Sequence, residues 1–199
     1  GLNSVRSQSD TPCLKEKNIT FGSFNNFNKI NDRVIYVWSQ ILLKVKNSKL
    51  ILKSSLKIDK SFLKKEFKKY GVIDSIIFLE KRKLESHYNL YKKIDIALDT
   101  FPYNGVTTTF EALSMGVPVI TMAGYNFNSR CGESIIKNLG IENLIANNEE
   151  DYILKAQKIA DDQEELSKMR KKIFGTSYET SLFNTKKFSQ DFFSILEKI

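Results

Sequence analysis

The sequence holds one histidine, two cysteines and three prolines in 199 residues, and each scarcity removes a class of protein. Cys13 and Cys131 have no CxxC partner, and with His87 they give three Cys or His side chains, fewer than the four a structural zinc site takes. No acidic cluster suggests a metal held by carboxylates, so no metal is expected. A disulfide between the two cysteines is not expected in a reducing compartment. The longest apolar stretches, such as 117–123, are far too short to cross a bilayer. Nor does the chain open with a positive charge followed by an apolar stretch, so no secretion signal is recognised. The expectation is a cytoplasmic protein without a membrane partner.

Ordinary globular chemistry is present instead: 41% hydrophobic and 27% charged residues, enough for one good core. The net charge of +8 raises the question of nucleic acid. The lysines are spread through amphipathic segments at 61–70 and 155–172, where they read as solvated helix faces, and no DNA or RNA motif accompanies them. Nucleic acid is therefore not expected as the partner, although a basic surface favours phosphorylated ligands in general.

Periodicity divides the chain into alternating elements. Residues 1–17 are polar, carry Pro12 and show no period, which predicts a linker or frayed start. Strands are predicted at 18–24, 49–53, 75–79, 94–98, 117–122 and 143–146. Helices are predicted at 33–46, 60–70, 84–93, 107–115, 129–139, 149–161, 163–174 and 185–198. Asp32 reads as the N-cap of the first long helix, whose apolar face is Val34, Val37, Trp38, Ile41 and Val45. Gly71 reads as the residue after a helix end. Phe188, Phe192 and Leu196 form a four-residue-spaced stripe that predicts packing. Near-continuous apolar strands alternating with helices imply a doubly wound, mostly parallel Rossmann-like α/β sheet covered on both faces. The division is 1–17 as a linker or disordered start, 18–175 as the Rossmann-like domain and 176–199 as a C-terminal helical extension.

In such sheets ligands sit beyond the carboxyl ends of the strands. One loop there is distinctive: it leaves a strand at Asp99, turns through Pro102, Asn104 and Gly105, and opens a helix with Thr107, Thr108 and Thr109. The unpaired N–H groups of that first turn and the helix dipole favour a phosphate, worth roughly 0.3–1 kcal/mol at an exposed site. Gly105 allows close backbone approach. One turn on, Glu111 can accept hydrogen bonds from the two hydroxyls of a ribose, or merely complement its own helix start. Tyr103 either stacks on a base or packs under the loop. Arg130 reaches the site or forms a salt bridge. Asp95 and Asp99 are as readily structural as chemical.

The run Asp95-Ile-Ala-Leu-Asp-Thr-Phe-Pro-Tyr-Asn-Gly105, followed by Thr-Thr and Glu111-Ala-Leu-x-x-Gly-x-Pro-Val119, resembles the O-linked N-acetylglucosamine transferase / SPINDLY family. The second half of that run is shared with many GT-B glycosyltransferases, whereas the first half is specific to this family. The resemblance continues through Phe21-Gly-Ser-Phe-Asn-Asn-x-x-Lys-Ile30 and His87-x-x-x-Tyr-x-x-x-Asp95. Downstream it includes Ser129-Arg130, Gly140-Ile-Glu-Asn-Leu-Ile-Ala146 and Ser181-Leu-Phe-Asn184.

The resemblance implies the C-terminal half of a GT-B fold, the half that holds the nucleotide-sugar donor. It implies Lys29 at the donor diphosphate, Asn26 beside it, His87 near the nucleotide, Thr107 and Thr108 around the phosphates, and Glu111 at the ribose. Asn26 stands where better-known relatives carry Gln, and Val106 where animal enzymes carry His. The implied activity is inverting transfer of a sugar from UDP-N-acetylglucosamine, or from GDP-fucose as in SPINDLY-type relatives, to protein Ser or Thr, with no metal required. The acceptor groove, the general base and any tetratricopeptide repeats are expected in a missing N-terminal half, so this chain alone is expected to be inactive. Two other classes stay open: a nucleotide-binding module without catalysis, and a basic interaction domain that binds polyanions.

Overall fold

A computed structural model describes residues 10–54, 59–79 and 84–198. Six parallel strands form the sheet: β1 (Thr20–Ser23), β2 (Lys49–Lys53), β3 (Ile76–Leu79), β4 (Ile96–Leu98), β5 (Val119–Met122) and β6 (Ile145–Ala146). Their order is β3-β2-β1-β4-β5-β6. Phe21 lies opposite Leu50 on one side and Ile96 on the other, and Ala97 opposite Val119. The order reverses between β1 and β4, so the loops leaving these two strands flank the crevice where doubly wound sheets bind ligands.

Helices cover both faces because successive strand residues point opposite ways. Leu50, Leu52, Ile96, Leu98 and Ile120 face a core shared with α2 (Asp32–Lys44), α3 (Ser61–Lys69) and α7 (Glu149–Asp161). Ile51, Ala97 and Val119 face the other core, shared with α4 (Leu84–Tyr91), α5 (Thr107–Ser114), α6 (Cys131–Asn138) and α8 (Gln163–Thr176). The predicted α2 face is buried throughout, with Trp38 fully enclosed. Gly71 adopts φ 72°, as its place after α3 requires.

Three expectations are corrected. Asn31, not Asp32, caps α2: its Oδ1 accepts from Val34 N at 3.0 Å, while Asp32 is the first helical residue. The described part of the segment read as a linker contains a short helix, α1 (Pro12–Glu16), which buries Cys13 completely; residues 1–9 lie outside the described residues. On α9 (Thr185–Leu196), Phe188, Phe192 and Leu196 do not pack into a core but remain half to two-thirds exposed, Phe188 and Phe192 stacking on each other.

Two buried carboxylates bracket β4. At its entry, Asp95 accepts from Cys13 N and Thr20 N, both at 2.8 Å, and so fastens α1 and β1 to the sheet. Arg170, buried on α8, donates from Nη1 to the Ile94 and Asp95 carbonyls at 2.9 Å each, tying that helix to the same point. Burial and the Asp95 charge push the Cys13 thiol up to about 12, so it is chemically inert. At the exit of β4, Asp99 is fully enclosed. Its Oδ1 accepts from Gly105 N at 2.7 Å and Thr100 N at 2.9 Å, and its Oδ2 accepts from Thr121 Oγ1 at 2.8 Å. Burial raises its pKa to about 6 against the opposing pull of these donors.

Replacing Arg170 by Met leaves two carbonyls short of a donor and Asp95 without its cation. Urea unfolding should show a loss of about 3 kcal/mol with an unchanged denaturant slope. Asp99 should give a pH signature. Its folded pKa, about 6, lies above the ordinary 3.8, so the unfolded chain releases this proton first as pH rises. The stability contributed by the protonated group is full below the ordinary value, is lost as pH climbs to the folded one, and is constant above it. Measured against the non-titrating Asp99→Asn variant, wild-type stability should therefore decline by roughly 2–3 kcal/mol across that window and then level off.

Candidate functional site

All strands run the same way, so their carboxyl ends share one edge of the sheet, and the predicted site residues gather there. From β1 the chain enters Asn25 and Asn26 and then a short 3₁₀ turn, Phe27–Lys29. Asn26 caps that turn, its Oδ1 accepting from Asn28 N at 3.1 Å. The cap fixes where Lys29 leaves the backbone. Its Nζ donates to the Asn104 carbonyl at 2.9 Å and lies 4.1 Å from the centre of the Tyr103 ring. Tyr103 thus supports the ammonium from below by a cation–π contact. Burial lowers the Lys29 pKa, with the Asp99 charge opposing that shift. A partly desolvated ammonium has shed some of its water and interacts more strongly with an arriving anion.

From β4, Asp99 gathers the loop. Holding Gly105 N and Thr100 N on one oxygen forces the intervening residues into a compact turn. The turn is closed by Thr100 Oγ1 donating to Tyr103 O at 2.7 Å and Asn104 Nδ2 donating to Thr100 O at 3.0 Å. Asn104 is completely buried, and its Oδ1 accepts from Gly132 N at 3.2 Å, joining the loop to the start of α6. Its side chain therefore shapes the loop while its carbonyl receives Lys29. A Cβ on Gly105 would collide with Thr108 Oγ1 and crowd Asn25 Oδ1 and Asp99 Oδ1, so only glycine fits.

Helix α5 begins at Thr107, and its cap position, Val106, supplies no side-chain acceptor to the first amides. Those N–H groups carry the positive end of the dipole without an internal side-chain partner. Thr107 is exposed. Thr108 is half-buried and donates to Asn25 Oδ1 at 2.9 Å, while buried Thr109 donates to Gly105 O at 3.1 Å. Of the three threonines, the last is a fastening of the loop.

Glu111 lies one turn deeper. Its Oε2 is 2.9 Å from His87 Nε2 and accepts from Tyr91 OH at 3.0 Å. His87 and Tyr91, four residues apart on α4, share a helix face, and that spacing brings both to one carboxylate. His87 is buried among the rings of Phe24, Tyr88 and Tyr91. Burial first and the Glu111 charge second raise the pKa of Tyr91 well above the usual phenol, which keeps it a donor.

The structure joins Lys29 to the Asn104–Gly105 turn and the turn to α5, and sets Glu111 of that helix against His87 of α4. Two residues took other partners than the ligand-facing alternatives. Arg130 pairs with Glu133 at 2.9 Å, and Tyr103 lies against Lys29. Asn25 was missed by the sequence reading: it is buried and bridges Thr108 to Asp99, with Nδ2 at 3.4 Å from Asp99 Oδ1. Nothing in the Asn-rich turn distinguished it from Asn26. Tyr91 was within the quoted His87 motif, and its i,i+4 spacing could have revealed it. Lys53 was read only as a strand end.

Among known proteins, the SPINDLY protein of Eustoma exaltatum subsp. russellianum, named "Probable UDP-N-acetylglucosamine–peptide N-acetylglucosaminyltransferase", is 39% identical over 189 residues, which cover 92% of this chain and 20% of that one. The UDP-N-acetylglucosamine–peptide N-acetylglucosaminyltransferase of Caenorhabditis elegans is 29% identical, covering 92% of this chain and 16% of its own length. The chain thus spans about a fifth of the curated relatives it matches. A mutant of the Thermobaculum terrenum O-GlcNAc transferase superposes with a TM-score of 0.82 at 27% identity, over 94% of this chain and 36% of that one. Residues 3–192 match glycosyl transferase family 41, and the chain belongs to that family.

Proposed function

We propose that this chain is the donor-binding half of a glycosyltransferase that passes a sugar, N-acetylglucosamine first among candidates, from a nucleoside diphosphate to protein Ser or Thr hydroxyls. The observation that carries the reading is the convergence of Lys29 and the side-chain-uncapped first turn of α5 on the Asn104–Gly105 turn, with Glu111 one turn deeper. A diphosphate lying across the turn meets the ammonium at one end and the α5 amides at the other. The ribose then reaches Glu111, which accepts hydrogen bonds from its hydroxyls, and His87 lies beside the nucleoside. Residues 18–175 form this unit in our reading, and 176–199 extend it.

Chemically, the chain binds and orients the donor and stabilises the departing diphosphate. Negative charge grows on the bridging oxygen as the sugar leaves, and a fixed ammonium with preorganised N–H groups is worth most at that moment. The acceptor hydroxyl and the group that deprotonates it belong, in this proposal, to an N-terminal half across the cleft. A relative named for UDP-N-acetylglucosamine supports that nucleotide sugar as the first donor to test, and GDP-fucose is the second.

Isothermal titration with UDP, GDP and inorganic pyrophosphate tests the site. Lys29→Ala should weaken UDP and pyrophosphate alike, by about tenfold or more, because it removes a charge-assisted contact to phosphate. Glu111→Ala should weaken UDP by a similar factor and leave pyrophosphate unchanged. No binding of UDP or GDP at millimolar concentration rejects the assignment. A strictly salt-dependent response to any polyanion, indifferent to the nucleoside, favours the basic interaction domain. Joined to an N-terminal half of a family member, the chain should transfer sugar to a peptide. Donor binding without transfer in that chimera would identify a module that only binds.

A further inference from the structure

β2 ends on a lysine for which the donor site, as described, has no task. Lys53 is 5% exposed, so its ammonium must be met by protein groups. Its Nζ lies 2.8 Å from His87 Nδ1. His87 Nε2 in turn lies 2.9 Å from Glu111 Oε2, the oxygen that also accepts from Tyr91 OH. The roles in this chain follow from what each group can do. An ammonium has three N–H donors and no lone pair, so Nδ1 must accept. The ring proton then sits on Nε2 and is donated to a carboxylate, which accepts only.

We infer that Lys53 is a positioning residue for the nucleoside end of the site: it holds the His87 ring from behind in the Nε2–H tautomer, aimed at Glu111, and so fixes the carboxylate that receives the ribose. The inference rests on the proposed role of Glu111. Without Lys53, the imidazole keeps one anchor instead of two and can turn about its Cβ–Cγ bond. The carboxylate then loses a fixed donor and the orientation that donor imposes. Lys53 is the last residue of a strand, not part of the phosphate turn, so a reading confined to that turn does not reach it. Its influence passes through His87 from the adjacent strand end, Leu52 being paired with Ser23 of β1.

The chain contains a single histidine, so long-range ¹H–¹⁵N correlation spectra of the labelled protein report His87 alone. At neutral pH the wild-type spectrum should show a protonated Nε2 and a bare, hydrogen-bonded Nδ1. In Lys53→Met the Nδ1 signal should move, UDP affinity should fall by about tenfold, and pyrophosphate affinity should hold, since only the nucleoside grip is loosened. Lys53→Arg, which restores a cationic donor, should recover both readouts. A wild-type ring protonated on Nδ1 overturns the inference. So does a folded Lys53→Met variant with an unmoved Nδ1 signal, or with equal losses for UDP and pyrophosphate, the mark of a purely structural residue. The wild-type spectrum needs no variant, so a Lys53→Met chain that fails to fold leaves the test decisive. The tautomer is read without nucleotide. If it is as stated while wild type binds neither UDP nor GDP, the donor reading fails and the Lys53–His87 link stands.

Discussion

The site depends on one buried carboxylate that never faces solvent. Asp99 closes the loop after β4 by accepting from Thr100 N and Gly105 N, and it holds β5 through Thr121. Gathering two amides of a single loop on one oxygen dictates the turn between them, and the turn aims the Asn104 carbonyl at Lys29 and starts α5 in the right direction. Enclosing a carboxylate is unfavourable unless its lone pairs are filled, and here donors fill both oxygens. The raised pKa records what remains of that cost. Close packing against Gly105 and Gly132 follows from the same demand: a side chain at either position would intrude on Asp99 and its donors.

Magnitudes assign different work to the two sources of positive charge. The α5 terminus contributes roughly 0.3–1 kcal/mol toward an exposed anion. A hydrogen bond from an ammonium contributes about 1.5–3 kcal/mol. In the proposed donor site Lys29 would therefore be the larger contributor to holding a diphosphate, and its partial burial against Tyr103 keeps the ammonium in one place. The α5 amides would add direction there more than strength, because they are fixed by the backbone and need no reorganisation as charge develops.

Much of the fold was legible because strands buried on both faces and helices with one apolar face leave strong periodic signals. Boundaries fell within a few residues, and α7 matches the expectation residue for residue. Where the reading slipped, a side chain had two local options or a distant partner. Asn31 and Asp32 both suit a helix cap, and only geometry shows Asn31 in that place, its Nδ2 also held by the Phe101 carbonyl at 2.8 Å. Glu111 and the threonines were singled out from their place at a helix start, and Lys29 through motif resemblance. Asn25 and Lys53 were not, because what defines them is a contact 34 to 83 residues away in the chain, with Asp99 and Thr108 for the first and His87 for the second. The stripe on α9 marks the opposite failure. Four-residue spacing says that a helix has an apolar face but not that this chain covers it.

Asp95 and Asp99 show how one three-residue strand anchors the scaffold at one end and shapes the candidate site at the other. Both carboxylates are buried and both have raised pKa values, caused first by desolvation. Their company differs. Asp95 accepts from the backbones of α1 and β1 near buried Arg170, so everything it touches is scaffold. Asp99 accepts from a loop that also leaves a carbonyl for Lys29 and leads into the side-chain-uncapped start of α5. Disturbing the first should loosen the fold around an intact turn, and disturbing the second should deform the turn within an intact fold. The separation is possible because β4 is central in the sheet. Its entry can be bolted to neighbouring elements while its exit, at the point where strand order reverses, stays open to the crevice.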